Sequence, residues 1–310
     1  MALHGFTPEE LNTHFANISI SPLEEPLQSL KLISTASSEG FSFHPTTESD
    51  IILAVSHFKS QARGDDGIPQ SVVAKSLPAI APKLMKLFNY SILHGIFPTT
   101  WKKAQILALK KVPVPSSPSE FRPIALLCFL SKVLKKLALD QIFLKDKHIL
   151  DPYQTGFNKH QSTQTALLKL TEDIRTGFDK KHVTILLQFD FSKSFDTISS
   201  CRLLSKLKNM GFSQSSLRWV HSYVNGRSQS VQLNVTTSAP KETNLGVPQG
   251  SVLGPLLFCL YINDLQNHLE GLEVLRILYA DDLQIYVQVP YDKISEGIAS
   301  LSSAAQRVST

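Results

Sequence analysis

Cysteine is scarce in this 310-residue chain, which contains three cysteines and no C-x-x-C pair. Cys128, Cys201 and Cys259 lie far apart, which argues against a disulfide framework or a thiolate zinc site and indicates a reducing compartment. The ten histidines form no H-E-x-x-H motif, and no G-x-S-x-G motif is present. The sequence therefore indicates neither a zinc hydrolase nor a Ser-His-Asp hydrolase.

Long apolar runs are also absent. The longest nearly apolar stretch, residues 252–262, is interrupted by Gly254 and Pro255 and is too short to cross a bilayer. The first ten residues contain neither the basic nor the apolar segment of a signal peptide. These absences predict a soluble intracellular protein.

Positive charge is in slight excess and is concentrated in one segment. The chain has 31 Lys and Arg against 26 Asp and Glu, a net charge of +5 with a pI near 9.0. Residues 101–147 carry +7, which leaves −2 for the rest of the chain. Part of this segment is strand-like, and part is a predicted helix with Lys132, Lys135 and Lys136. Together they predict a basic face suited to phosphate backbones, with an ordinary solvated helix face as the alternative.

The sequence before this segment predicts an arm followed by helices. Residues 1–58 combine a Thr-Pro-Glu-Glu helix start with Ser- and Pro-rich stretches, which is typical of an arm or linker with short ordered pieces. After residue 67, apolar residues at helical spacing predict a helical region that is broken by Pro78, Pro82 and Pro98.

Carboxylates follow two strand-like segments. Residues 183–191 alternate so that apolar side chains share one face and Asp190 points to the other. Residues 277–287 have the pattern of a β-hairpin with Asp281 and Asp282 at its tip. An acidic pair in a turn also has an ordinary structural explanation, because Asp tolerates turn geometry and bonds the local backbone.

The two acidic segments can act together if their strands pair. Asp190 and Asp281 would then converge, and clustered carboxylates resist ionisation unless a cation is present. Mg²⁺ prefers oxygen ligands and is often held by one or two carboxylates plus substrate phosphates. Two such ions about 3.5–4 Å apart would support an in-line phosphoryl displacement.

Five ordered segments resemble the motifs of one polymerase family. Three of them resemble motifs A, B and C of reverse transcriptases: FDFSKSFD at 189–196, GVPQGSVLGP at 246–255 and YADD at 279–282. Two upstream segments resemble the fingers motifs of the non-LTR (LINE-type, jockey-like) retrotransposon branch: FRPIALL at 121–127 with SKVL at 131–134, and QTGF at 154–157 with STQTAL at 162–167. The resemblance covers about residues 60–300.

The resemblance implies an α+β fold with the fingers and ferredoxin-like palm of a right-hand polymerase. Residues 1–58 would be an arm, with fingers over about 59–182 and the palm over about 183–310. Family members continue into a thumb and usually carry an endonuclease before the arm. We therefore expect this chain to be either an excerpt of a longer open reading frame or a decayed element copy, truncated after motif C.

The same resemblance implies an RNA-directed DNA polymerase that adds dNTPs to a DNA 3′-OH. Its cofactor would be Mg²⁺, as two ions, with Mn²⁺ as a substitute. Its partners would be an RNA template, a DNA primer and dNTPs, with no membrane partner, and it would act in the nucleus and cytoplasm as a ribonucleoprotein.

The resemblance also assigns roles to residues of motifs A and C. Asp190 and Asp281 would be the catalytic metal-binding pair, with Asp282 alongside. The backbone carbonyl of Phe191 would offer a further metal or triphosphate contact. Asp196 would be structural and would bond the helix that follows it.

Further residues would contact the nucleotide. Phe195 would be an aromatic steric gate beneath the incoming sugar, with a simple core aromatic as the alternative. Gln249 and Gly250 would abut the nucleotide, because glycine allows close approach and the amide can bond the sugar or base.

Three basic residues would grip the triphosphate. Arg122 and either Lys110 or Lys111 would supply the guanidinium and the ammonium. The choice between the two lysines stays open.

The sequence also departs from the family pattern at two places, one before the first motif and one within motif A. Residues 63–69 read RGDDGIP where the branch usually has a Pro-Gly-Pro-Asp-Gly-Ile-Pro-like run, which leaves that turn in doubt. Ser194 replaces a common Ala in motif A, which is a small change.

Two other functions compete with polymerisation. A non-catalytic RNA-binding module would use the basic 101–147 face and incorporate no nucleotide. A metal-dependent phosphohydrolase would use the same carboxylates, but it leaves motif B unexplained.

Overall fold

The computed structural model describes residues 5–19, 25–145, 149–158, 161–191 and 193–309. The helices of these residues are α1 (Pro8–Ile18), α2 (Glu25–Ser34), α3 (Glu48–His57), α4 (Gln70–His94), α5 (Phe129–Lys145), α6 (Thr163–Asp179), α7 (Ser200–Asn209), α8 (Gln214–Val224), α9 (Gly254–Tyr261), α10 (Leu265–His268) and α11 (Ile294–Val308). The strands are β1 (Lys103–Lys110), β2 (Phe121–Leu126), β3 (His182–Asp190), β4 (Arg227–Leu233), β5 (Thr236–Thr237), β6 (Lys241–Thr243), β7 (Leu275–Tyr279) and β8 (Asp282–Pro290).

The chain divides into two compact units. The first unit comprises the described residues of Met1–Asp146 and Phe195–Leu257, and the second comprises those of Lys147–Ser194 and Phe258–Thr310. Both units combine helices with a sheet, which agrees with the predicted α+β class. The unit boundaries differ from the division at residues 182 and 183, which follows from the family resemblance and stays a prediction.

The first unit is built on a mixed sheet. Its strand order is β2-β1-β4-β5, and β6 also pairs with β4. Strands β1 and β4 are parallel, whereas β1 pairs with β2, and β4 with β5 and β6, in antiparallel orientation. The alternation along β1 buries Ala104, Ile106 and Ala108 on one face of the sheet.

Helix α1 covers that buried face, although its residues belong to the predicted arm. Thr7 and Glu10 begin α1 with a capping box, in which each side chain accepts a hydrogen bond from the backbone of the other residue. Leu11 and Phe15 then join Ile106 in one buried apolar cluster. The first helix of the arm is therefore part of the core of the first unit.

Helix α4 runs without a break through Pro78 and Pro82, so the prediction of breaks at these two prolines was wrong. Each proline removes one helical hydrogen bond, at a typical cost of about 3 kcal/mol. Both prolines lie on the exposed face, where water can satisfy the freed carbonyl groups. The opposite face is buried along the whole helix, from Val73 to Ile92, and its packing compensates for the lost bonds.

The second unit contains an antiparallel sheet of three strands in the order β3-β8-β7. Its apolar face is covered by α11, where a Cβ on Gly297 would lie 3.1 Å from Val289 and 3.2 Å from Ile185. Its other face is covered in part by α6, because Tyr286 donates a hydrogen bond to Asp173 of that helix. The predicted alternation of residues 183–191 and the predicted hairpin are both confirmed.

No helix in the part of the chain that the structure describes is long and apolar enough to cross a membrane.

Candidate active site

The register of the second sheet brings two carboxylates together. In the antiparallel ladder between β3 and β8, Asp190 is the partner of Asp282. Cross-strand partners share a face, and their Cβ atoms are typically about 4.5–5.5 Å apart. Both side chains are exposed, and neither forms a hydrogen bond or an ion pair with another described residue. Two uncompensated acids therefore face solvent side by side at the end of the sheet.

Asp281 lies in the tight loop of the β7–β8 hairpin. Tyr279 and Asp282 form the last pair of that hairpin, so only Ala280 and Asp281 lie between the strands. Ala280 has a φ of +56°, a left-handed conformation that alanine rarely adopts. The loop therefore contains local strain that the surrounding residues must balance.

The turn segment around Gln154, which forms an isolated β-bridge with Leu278, holds this strained loop in place. The buried Gln154 Oε1 accepts hydrogen bonds from the backbone N–H of Ala280 at 3.2 Å and of Gly156 at 3.0 Å. The backbone N–H of Thr155 donates to the carbonyl of Leu278 at 2.8 Å. A Cβ on Gly156 would lie 2.0 Å from the nitrogen of Ala280, so only glycine fits against the loop.

The family resemblance assigns residues 154–157 to a fingers motif and implies no contact between them and Asp281. Here they lie in the same unit as Asp281 and support its loop. The short polar run QTG ahead of a helix gave no signal of this contact, because its partner is 126 residues away in the chain.

Ser194 contacts Asp281 directly. Its hydroxyl donates a hydrogen bond to Asp281 Oδ2 at 3.0 Å, and both side chains are half-buried. This bond links motif A to motif C within the second unit. Phe191, which follows Asp190, packs its ring against the apolar core of this unit.

The donor set suits a hard divalent cation. No group of three or more His, Cys, Asp and Glu side chains is arranged to hold a metal ion among the residues that the structure describes. Mg²⁺, however, is usually held by one or two carboxylates, with water and substrate phosphates completing its shell. Asp190 and Asp282 on paired neighbouring strands, with Asp281 next to Asp282 in sequence, fit that requirement.

In the first unit, the motif B segment packs against the last two residues of motif A, Phe195 and Asp196. Gly246 has a φ of +78°, and a Cβ there would lie 2.6 Å from the carbonyl oxygen of Phe195. The backbone N–H of Val247 donates to the same carbonyl at 2.8 Å. The Phe195 side chain is half-buried.

Gln249 and Gly250 are held within this segment. Gln249 Nε2 donates to Asp196 Oδ2 at 2.6 Å, so the structure gives the carboxylate of Asp196 a partner in motif B. The carbonyl of Gln249 accepts from the backbone N–H of Ala125 on β2 at 2.9 Å. Gly250 has a φ of +91°, and a Cβ there would lie 3.1 Å from the carbonyl oxygen of Ala125.

The β1–β2 hairpin of the first unit presents the basic residues that were predicted to grip a triphosphate. Arg122 is the partner of Leu109 on the exposed face, whereas Lys110 is the partner of the buried Phe121 on the other face. Just beyond the last ladder pair, the Lys111 N–H donates to the Glu120 carbonyl at 2.7 Å, and the Lys111 Nζ donates to the Ser119 carbonyl at 2.8 Å. Strand alternation then assigns Lys111 to the face of Arg122. All three basic side chains are exposed.

Lys135 lies in the interior rather than on the predicted basic face. It is fully buried in the first unit, and its Nζ has no hydrogen-bond partner within the described residues. The Lys135 Nζ lies 6.0 Å from the centroid of the Tyr223 ring, and the guanidinium carbon of the buried Arg227 lies 5.4 Å from the same centroid. Burial lowers the pKa of Lys135 well below its ordinary value, and the positive charges of Arg227 and Lys132 lower it further.

The predicted site residues thus fall into two sets. Asp190, Phe191, Asp281 and Asp282 belong to the second unit. The first unit contains the predicted nucleotide-contacting residues: Lys110, Lys111, Arg122, Phe195, Gln249 and Gly250.

Comparisons with known proteins agree with the motifs. The model of the family described as reverse transcriptase (RNA-dependent DNA polymerase) matches residues 108–309. The chain is 30% identical over 285 residues to the probable RNA-directed DNA polymerase from transposon BS of Drosophila melanogaster, covering 89% of this chain and 31% of that protein.

Two further relatives belong to other mobile elements. The probable RNA-directed DNA polymerase from transposon X-element of Drosophila melanogaster is 33% identical over 227 residues, covering 72% of this chain and 25% of that protein. The RNA-directed DNA polymerase from mobile element jockey of Drosophila funebris is 28% identical over 284 residues, covering 89% of this chain and 31% of that protein. The chain spans less than a third of the length of these relatives.

Proposed function

Because the chain belongs to the reverse transcriptase family, we propose that it is an RNA-directed DNA polymerase of a non-LTR retrotransposon. It adds dNTPs to the 3′-OH of a DNA primer on an RNA template. The observation that carries this proposal is the pairing of Asp190 with Asp282, next to Asp281 in the hairpin loop. The names of the matched relatives, which are RNA-directed DNA polymerases of mobile elements, support it.

The carboxylates of the second unit are the proposed catalytic centre. Asp190 and Asp281, with Asp282 alongside, would hold two Mg²⁺ ions, and the carbonyl of Phe191 would offer one more oxygen ligand. When bound, the ions supply positive charge for the attacking 3′-oxygen and for the leaving pyrophosphate. The protein contributes the fixed positions of these oxygens, because the strand ladder and the Gln154 contacts hold the loop.

The first unit provides the proposed nucleotide contacts. Arg122 and Lys111 project from the same face of the β1–β2 hairpin, so they can bind neighbouring oxygens of a triphosphate. We assign this role to Lys111 rather than Lys110, whose ladder position is on the opposite face.

Phe195 and the motif B segment complete the proposed nucleotide site. Phe195 acts as the steric gate against a 2′-OH, and its backbone is fixed by Gly246 and Val247. Gln249 and Gly250 abut the sugar and base. In this proposal the first unit carries most of the fingers, the second carries the catalytic part of the palm, and the protein works as a cytoplasmic and nuclear ribonucleoprotein.

Primer extension tests the proposal. The chain is incubated with a DNA primer annealed to an RNA template, dNTPs and Mg²⁺, and the extended primer is measured on a denaturing gel. We expect extension that requires Mg²⁺ and is lost in Asp190→Asn and in Asp281→Asn. Asp292→Asn, which changes an exposed acid beyond the other end of β8, serves as the control and should extend normally.

An RNA-binding module is the alternative outcome of the same experiment. The exposed basic side chains of the β1–β2 hairpin favour it, because they lie in a different unit from the carboxylates. Salt-sensitive RNA binding without any nucleotide incorporation would support this alternative and overturn the polymerase proposal.

A further inference from the structure

Ser194 donates the hydrogen bond that Asp281 Oδ2 accepts, at 3.0 Å. Within the described residues it is the one side-chain partner of the three carboxylates Asp190, Asp281 and Asp282. The preceding Lys193 has a φ of +55°, so the chain turns sharply just before Ser194. Ser194 and Asp281 are 87 residues apart in the chain but belong to the same unit.

The Asp281 carboxylate needs such a partner for two physical reasons. The last torsion of an Asp side chain has a broad energy profile, so the carboxylate rotates easily unless a contact holds it. Asp282 follows Asp281 directly in sequence and is the strand-ladder partner of Asp190. Repulsion between the like charges therefore favours an Asp281 rotamer that points away from the other two acids.

A single hydroxyl bond can orient this carboxylate without blocking it. An ionised carboxylate has about four lone-pair sites on its two oxygens, and a hydroxyl donor occupies one of them. The remaining sites stay available to a cation. Donors that orient metal ligands in this way typically contribute about 10–100-fold to metal affinity.

We propose that Ser194 is a positioning residue that holds the Asp281 carboxylate in its cation-binding orientation. The inference rests on the proposed function, because it assumes that Asp281 is a metal ligand. The family pattern commonly has alanine at this position, and by residue type alone the replacement with serine is a small change. The hydrogen bond gives that change a chemical consequence, since an alanine has no donor for Asp281.

Binding of Mn²⁺ tests this role without relying on catalysis. The free Mn²⁺ concentration is followed by electron paramagnetic resonance while the ion is titrated into the full chain. We expect Ser194→Ala to bind Mn²⁺ about 10-fold more weakly than the wild type. Ser194→Thr, which keeps the hydroxyl, should retain nearly full affinity. Ser302→Ala removes a hydroxyl of α11 that bonds only its own helix, and it should bind as the wild type does.

The outcomes separate the two proposals. If the wild type binds Mn²⁺, Asp281→Asn weakens binding and Ser194→Ala does not, then the positioning role is wrong while the metal site stands. If the wild type binds no Mn²⁺ at the carboxylates, both the metal site and the role of Ser194 are overturned. Weakening by alanine with recovery by threonine supports the inference, because a merely misfolded variant would not recover.

A kinetic readout distinguishes positioning from a general loss of structure. In primer extension, Ser194→Ala should raise the Mg²⁺ concentration for half-maximal rate about 10-fold and should approach the wild-type kcat at saturating Mg²⁺. A lower kcat that excess Mg²⁺ does not restore, with an unchanged Mg²⁺ requirement, would contradict the proposal.

Discussion

Asp282 stands directly opposite Asp190 in the β3–β8 ladder. The sequence pattern predicts that Asp190 converges with Asp281, which is one position before Asp282. Tyr279 is the partner of Asp282 on the other side, so Asp190, Asp282 and Tyr279 form one row across the sheet. The row ends the sheet at the hairpin loop and places two like charges on one exposed face. Repulsion between these two charges should lower the stability of the metal-free protein, and a bound cation would relieve it.

We expect Asp282→Asn to stabilise the metal-free protein. Like charges on directly opposed strand positions repel each other, and removing one of them should raise the free energy of unfolding by about 0.2–1 kcal/mol at low ionic strength. Urea denaturation in the presence of EDTA measures the effect. Because both acids are exposed, the gain should largely disappear in about 1 M NaCl. Asp292→Asn is the control, and an equal gain in that variant would contradict the role of the pair.

Gly156→Ala should displace the loop that carries Asp281. The new Cβ would lie 2.0 Å from the backbone nitrogen of Ala280, and neither backbone can yield easily. We expect a loss of about 1–3 kcal/mol in the free energy of unfolding, together with weaker Mn²⁺ binding. Gly271→Ala is a matched control in the same unit, because Gly271 has a φ of +77° but no atom near its Cβ position. It should cost about 1 kcal/mol and leave ion binding unchanged.

Lys111→Ala should weaken dNTP binding more than Lys110→Ala does. Lys111 shares the exposed face of the β1–β2 hairpin with Arg122, whereas Lys110 does not. We expect the KM for dNTP to rise about 10-fold in Lys111→Ala, which corresponds to about 1.4 kcal/mol of lost binding. Steady-state primer extension with varied dNTP measures it. A larger increase in Lys110→Ala would reverse the assignment of the two lysines.

Lys135→Met should change how stability depends on pH. Burial lowers the pKa of Lys135 well below the ordinary value of 10.5. At any pH between this lowered pKa of the folded protein and the ordinary pKa, Lys135 is protonated in the unfolded chain but not in the folded protein. The free energy of unfolding of the wild type therefore rises with pH in this range, by up to about 1.4 kcal/mol per pH unit from this group. Replacement by methionine removes that contribution, so the variant should be the more stable protein at pH 7, and its advantage should shrink toward pH 9.

Urea denaturation at pH 7, 8 and 9 checks this expectation. Lys103→Met makes the same replacement at an exposed position of β1, and its pH dependence should follow that of the wild type. If Lys135→Met keeps the wild-type slope, then Lys135 stays protonated in the folded protein.

The local pattern of the sequence predicted most of the secondary structure around the site. The alternation of residues 183–191 predicted β3, and the polar tip between two apolar runs predicted the β7–β8 hairpin. These patterns are readable because periodicity reflects which face of one element is buried. The separate rule that proline ends a helix failed at Pro78 and Pro82, because the packed face of α4 outweighs this local preference.

The sequence by itself determined which family the chain belongs to and indicated which acids are the candidate metal ligands, since both depend on residue identity and order. Only the tertiary structure decided that Asp282 rather than Asp281 faces Asp190, because a strand register is set by the sheet as a whole. Tertiary structure also decided that Gln154 and Ser194 support the Asp281 loop and that Lys135 is buried. These contacts join residues far apart in the chain, and their energies come from packing and hydrogen bonds that no local pattern encodes.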